Sequence, residues 1–283
     1  MPAIAAPTKT AVQLLLAMGF ALGALQAQAG NANLSSANQT KGTSATVYFG
    51  DSSRSASFRS QKVTDTSSNE SFWVYCVDPL TSTDLPSSYT TMSLSDWLTP
   101  TGSSEYKAQF SQGSYTSSTY TNPASGNKYI ARNEATVLSK LTELYAHAYA
   151  EADPTKSGND TKVAAFQWAV WELEGESNYS STAGGLRFNT AAATPNASLK
   201  TQVDAYLSAL ASGNWSNVNG TDLSATTNYT YTVYQSNNFA SQSFLRVTAA
   251  GNSNNVPEPG SLALAGMALF GVFSLRRKGG STR

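Results

Sequence analysis

The chain has 283 residues, with 18 Lys plus Arg against 18 Asp plus Glu, one His and one Cys. Balanced charge leaves no field to attract nucleic acid, a single Cys and a single His cannot build a structural zinc site, and no glycine-rich phosphate loop follows a strand. A composition heavy in Ser, Thr, Asn and Tyr and light in charge suits a β-rich extracellular protein, so no metal, no cofactor and no nucleic-acid partner is expected, and nothing marks an enzyme.

Read from the N-terminus, Lys9 precedes an apolar stretch over residues 11–25, and Ala27-Gln28-Ala29 follows it. The small-x-small pattern predicts a signal peptide over residues 1–29 and a mature chain beginning at Gly30. Residues 30–42 are polar and turn-rich and read as a flexible leader. Residues 46–49 form a short strand ending at the turn signal Gly50-Asp51. Residues 72–77 form the clearest strand, with Phe72, Val74 and Cys76 on one face and Trp73, Tyr75 and Val77 on the other. Both faces are apolar, which places Cys76 inside, and Asp78-Pro79 ends the strand.

The segment 84–128 is loop-like, with Trp97 as an anchor. Two helices follow, over 133–149 and from Asp160 to about Glu174, the second capped at Asp160-Thr161 and stopped by Gly175. On the second, Val163, Gln167, Val170, Trp171 and Glu174 share a stripe facing the core. A helix-like run at 199–210 and strands at 229–234 and 244–247 complete the domain. Strands, then helices, then strands argue for an α+β fold.

Two residues stand out. A lone Cys cannot form an internal disulfide in an oxidising compartment, and an unpaired amide in a core costs about 1–3 kcal/mol. A thioester between the Cys76 sulfur and the Gln167 side-chain carbonyl answers both. Pressing the groups together is worth roughly 7–11 kcal/mol in such intramolecular reactions, and an apolar wall of Tyr75, Trp168 and Trp171 would exclude water from the product. Two other readings stand beside it. Cys76 behaves as a small buried hydrophobe while Gln167 hydrogen-bonds a neighbouring main-chain group, or Cys76 acts as a hydrolase nucleophile with His147 as base.

The C-terminus carries Val256-Pro257-Glu258-Pro259-Gly260, an apolar run over 261–275, and the basic cluster Arg276-Arg277-Lys278. Prolines flanking a glutamate make a stiff, grippable segment, the run would enter a membrane as a transmembrane helix, though short for a full span, and the charges would stay on the cytoplasmic side. This order resembles the PEP-CTERM sorting signal of Gram-negative bacteria. The resemblance implies cleavage by an exosortase near Pro257-Glu258-Pro259, transient anchoring in the inner membrane, and delivery to the cell surface or extracellular matrix.

The domain between the two ends, residues 30–255, resembles the Cys-Gln thioester domains of surface adhesins. The resemblance rests on Tyr75-Cys76-Val77-Asp78-Pro79, on the helix around Leu141-Thr142-Glu143-Leu144-Tyr145, on Gln167 followed by Ala169-Val170-Trp171, and on Val233-Tyr234 with Gln242 and Leu245. It implies β-sandwich- or barrel-like strands with an inserted helical subdomain carrying the Gln helix. It also implies covalent attachment through Gln167 to an amine- or hydroxyl-bearing target. The alternative function is a non-covalent structural or exopolysaccharide-associated matrix protein in which Cys76 and Gln167 are inert.

Overall fold

The computed structural model describes residues 30–49, 52–79, 82–98, 134–175, 179–191, 196–237 and 241–250. The expected signal peptide (1–29), the turn Gly50-Asp51, residues 99–128 of the expected loop and the whole tail 256–283 lie outside the described residues. The chain divides into one unit up to Thr248 and a second over Ala249–Arg283, of which only the first residues are described.

Strand β1 (Gly30–Phe49) begins at the first residue of the expected mature chain and takes the place of the expected flexible leader. Its inward side chains are small or isolated, Ala32, Leu34, Ala45 and Val47, so serines and asparagines between them hide the period of two. The strand pairs with β4 (Ser87–Ser93) from Gly30↔Thr91 to Leu34↔Ser87 and with β2 (Ser52–Asp65) from Leu34↔Asp65 to Phe49↔Ser52. A register shift between Ser36 and Gln39 accompanies Asn38 at φ 57°. Gly42, at φ 123°, lies so close to β2 that a Cβ would sit 2.2 Å from the Phe58 carbonyl oxygen, which only glycine avoids.

Strand β3 (Glu70–Cys76) pairs with β2 and carries the expected alternation. In the segment read as a loop, β4 and a short helix α1 (Leu94–Leu98) appear instead, and Trp97 is fully buried as its anchor. Helices α2 (Glu134–Ala152), α3 (Asp160–Gly175) and α4 (Ala197–Ser212) follow, with the three-residue strand β5 (Leu186–Phe188) between the last two. Asn196 caps α4 by accepting from Leu199 N–H at 3.1 Å. Strands β6 (Tyr229–Ser236) and β7 (Phe244–Ala249) close the domain.

The strands form one seven-stranded antiparallel sheet in the order β2-β3-β7-β6-β4-β1-β5, with a further β2–β1 pairing. This corrects the expected sandwich- or barrel-like arrangement. A sandwich needs a second sheet packed face to face, and among the described residues all seven strands belong to one sheet. A barrel needs ladders continuous around its wall, whereas β3 meets β7 over two residue pairs, Tyr75↔Leu245 and Cys76↔Phe244. Alternation along a strand tells which residues face the core; it does not order the strands.

The helices are not a separate inserted subdomain either. Strand and helix side chains share one core, and α3 runs through its middle, packed against β1 and β2 as well as α2 and α4. Trp168 stacks on Phe58 of β2 and Phe188 of β5, with ring centroids 4.7 and 4.1 Å apart. Every residue from Val163 to Gly175 is buried, so α3 has no solvent stripe, and its polar residues Gln167, Glu172 and Glu174 lie in the interior with the rest. That is the pattern of a helix covered on all sides. Among the described residues no helix is long and apolar enough to cross a membrane, so the expected transmembrane helix has no counterpart there; the apolar run 261–275 lies outside them.

Candidate functional site: the Cys76 cleft

Successive residues of β3 point to opposite sides of the sheet. Tyr75 turns toward the helices, where its ring meets Phe166 at 4.8 Å and its hydroxyl donates to the Ala152 carbonyl at 2.6 Å. Cys76 turns the other way, with Val74, into a cleft of about 440 Å³ that also takes Phe49, Arg54, Arg59 and Trp171 into its walls. Cys76 lies at its floor, 5 % exposed.

The main chain of Cys76 is at the end of a ladder. The β2–β3 pairing stops at Ser60↔Tyr75. Val77 N–H donates to the Ser243 carbonyl at 3.0 Å on the β7 side, so the Cys76 N–H and C=O face the opposite side, where β2 no longer pairs. Gln167 fills that gap. Cys76 N–H donates to Gln167 Oε1 at 2.8 Å, and Gln167 Nε2 donates to the Cys76 carbonyl at 2.8 Å. Trp171 Nε1 donates to the same carbonyl at 3.1 Å. The side-chain amide stands in for the peptide group of a missing strand partner, satisfying a buried N–H and C=O that would otherwise be orphaned.

The thiol is bound locally. Cys76 Sγ–H donates to the Asp78 carbonyl at 3.0 Å, and Asp78 N–H donates to the sulfur at 3.2 Å. Burial pushes the thiol well above its ordinary value of 9.0, and the buried Asp78 carboxylate adds to the effect. A protonated, locally bonded thiol is a poor nucleophile.

These contacts overturn the expected thioester. Cys76 is a free thiol. The Gln167 carboxamide is intact and grips the Cys76 main chain, and the sulfur is taken up by Asp78. What joins the two residues is a pair of hydrogen bonds between the Gln167 side chain and the Cys76 main chain. Covalent attachment of a target through Gln167 loses its basis with it. Of the expected apolar wall, Trp171 reaches the cleft, while Tyr75 and Trp168 pack into the helical side of the core. His147 is no base for Cys76: its Nδ1 donates to the Leu223 carbonyl at 2.7 Å and its ring stacks on Trp215 at 4.8 Å.

The structure adds residues of β2 that the sequence reading missed, and gives Glu174 and Gln242, named there only as a stripe member and a resemblance position, a definite place. Phe58, Arg54, Arg59 and Gln61 come from β2, whose serine-rich sequence gave no strand signal beyond the weak Ala56-x-Phe58 alternation. Glu174 is fully buried one turn beyond Gln167's neighbours, with no hydrogen-bond partner on either carboxyl oxygen. Burial, with Asp78 second, pushes its carboxyl well above the ordinary 4.5, the direction that favours the neutral acid in the core. Gln242, at the cleft's far rim, donates to the Asp78 carbonyl at 3.3 Å and accepts from Thr83 Oγ1 at 2.7 Å. It ties the segment before β7 to the loop that holds the thiol. Asp160, expected as a helix cap, accepts instead from Gly42 N–H at 2.9 Å.

Residues 255–278 match the PEP-CTERM protein-sorting motif. No curated protein and no solved structure matches the chain. The motif contains Pro257, Glu258 and Pro259 and the basic cluster Arg276, Arg277 and Lys278, and it marks the chain for an exosortase-type processing enzyme. With it comes an exported, cell-surface or extracellular-matrix setting of the Gram-negative envelope type.

Proposed function

We propose that this chain is a non-covalent component of an extracellular matrix, associated with exopolysaccharide, in which Cys76 and Gln167 are structural. The observation that carries this reading is the hydrogen-bonded clamp of Gln167 on the Cys76 main chain, with the thiol occupied by Asp78. The clamp joins a strand end to the central helix and leaves neither group poised for bond formation. The sorting motif supplies the destination. Residues 1–29 serve as the signal peptide, the run 261–275 engages the inner membrane with Arg276-Arg277-Lys278 on the cytoplasmic side, and an exosortase cuts near Pro257-Glu258-Pro259. The protein works by binding, not by catalysis.

Fractionation of the native matrix tests the reading. Protein extracted with urea and detergent should run at its own size, free of polymer, and its release should not require hydroxylamine. A fraction that stays attached to polymer through denaturation would overturn the non-covalent reading.

A further inference from the structure

Away from the Cys76 cleft, the starts of α3 and α4 and the turn at Asn219 enclose a second cleft of about 400 Å³, within the ~300–1,000 Å³ range of small-molecule sites. Two buried carboxamides with unspent bonding capacity line it. Asn159, 7 % exposed, donates through Nδ2 to the Glu151 and Asp153 carbonyls at 3.2 and 2.7 Å. Its Oδ1 has no hydrogen-bond partner among the described residues. Gln202, 4 % exposed, accepts at Oε1 from Asn219 Nδ2 at 2.9 Å, while its Nε2 has no hydrogen-bond partner among the described residues. The two defects are of opposite sense, a buried acceptor lacking a donor and a buried donor lacking an acceptor, and each is unfavourable while dry.

The rest of the lining indicates what would meet them. On α4, Thr201 and Gln202 follow Ser198 at offsets of three and four, so the three share one side of the helix. Thr161 faces them from α3, and the hydroxyls of Thr161, Ser198 and Thr201 can each donate and accept. Among the described lining residues none is acidic or aromatic, and the one cation, Lys162, is paired with Glu151. A lining with its charge neutralised and its donors and acceptors mixed suits an uncharged ligand that offers both. A sugar carries hydroxyls around its ring, so it serves the two carboxamides without their converging on one atom. We infer that this cleft binds a neutral sugar unit of a polysaccharide, whose hydroxyls donate to Asn159 Oδ1 and accept from Gln202 Nε2 in place of water. This rests on the matrix-protein reading above and names the polymer chemistry that reading leaves open.

NMR of the side-chain amides in the purified full chain, in mild detergent, tests it. The probes are the methyl glycosides of glucose, mannose and galactose, with inorganic phosphate as the anionic control. At least one glycoside should shift the Asn159 and Gln202 amide signals at millimolar concentration. Gln202→Met keeps the length of the side chain and removes the donor, and should weaken that glycoside about tenfold, read at Asn159. Ser198→Trp fills the mouth of the cleft from an exposed position and should abolish binding with an unchanged unfolding midpoint, so it carries the test if Gln202→Met does not fold. No shift with any glycoside would leave the cleft to water, undiminished binding to either variant would place the sugar elsewhere, and phosphate binding as tight as the glycoside's would assign the cleft to an anion held by the two helix starts; each overturns the inference. The matrix fractionation above is independent: protein released free of polymer that ignores every glycoside loses this inference alone, and a covalent adduct loses the earlier reading alone.

Discussion

Gln167 and Cys76 are joined by a closed pair of hydrogen bonds, both 2.8 Å long, in which the side-chain amide of a buried helix takes the place of a strand. Here the arrangement lets β3 end against α3 without leaving an orphaned donor or acceptor in the core. It also fixes the floor of the Arg54–Arg59 cleft.

Removing the amide should therefore cost more than one average hydrogen bond. Gln167→Ala or Gln167→Leu leaves the Cys76 N–H unpaired inside the protein, and the expected loss is about 2–4 kcal/mol, read as a lower urea midpoint. Gln167→Glu should lose a similar amount near neutral pH, because a carboxylate cannot donate to the Cys76 carbonyl. A Gln167→Leu protein as stable as the parent would mean that the clamp contributes nothing.

The Cys76 thiol should be inert. Its raised pKa, from burial first and Asp78 second, keeps it protonated where a free cysteine begins to ionise. Alkylation by iodoacetamide at pH 8 should be roughly 100-fold slower in the native protein than in urea. The sign for stability follows: with the folded value raised, the contribution is intact below the ordinary 9.0 and is lost as pH climbs through the folded value. Rapid native labelling would contradict this.

Glu174 gives a pH dependence in the acid range. Its folded value is raised above 4.5 by burial. Below 4.5 the acid is protonated folded and unfolded alike, and nothing is lost. As pH rises past 4.5 the unfolded chain ionises while the folded one resists, so stability falls at up to ~1.4 kcal/mol per pH unit until the folded value is reached. Glu174→Gln should remove that slope and raise stability at pH 7 by about 1–3 kcal/mol. Parallel stability–pH curves for parent and variant would show that Glu174 is not a buried acid.

Much of the fold was written locally. The alternation of Phe72, Val74 and Cys76 marked β3, and the helices at α2, α3 and α4 announced themselves within a few residues of their ends because their apolar residues recur at three and four. The long β1–β2 pair did so only at residues 46–49, since serine, threonine and asparagine occupy most of its outward positions and its inward ones are held by residues as small as Ala32 and Ala56. With β2 went Arg54, Arg59 and the cleft. The proximity of Cys76 and Gln167 was legible, because an apolar strand and an apolar helix face must meet. What joins them was not: a carboxamide beside a cysteine serves a ladder end as well as it serves a thiol, and only the direction of the Cys76 main chain, set by Val77 and Ser243, decides between them. The sorting tail was readable outright, since Pro257-Glu258-Pro259, an apolar run and Arg276-Arg277-Lys278 form a motif defined by sequence order.

The most direct measurement is the intact mass of freshly folded protein, taken without denaturing base and repeated on Cys76→Ala and Gln167→Ala. Two hydrogen bonds between Gln167 and the Cys76 main chain leave every atom in place, so the parent should weigh what its processed sequence weighs, and each variant should differ only by its substitution. A parent lighter by one ammonia, with the deficit abolished in both variants, would mean that sulfur and carbonyl are bonded after all, and would contradict the account.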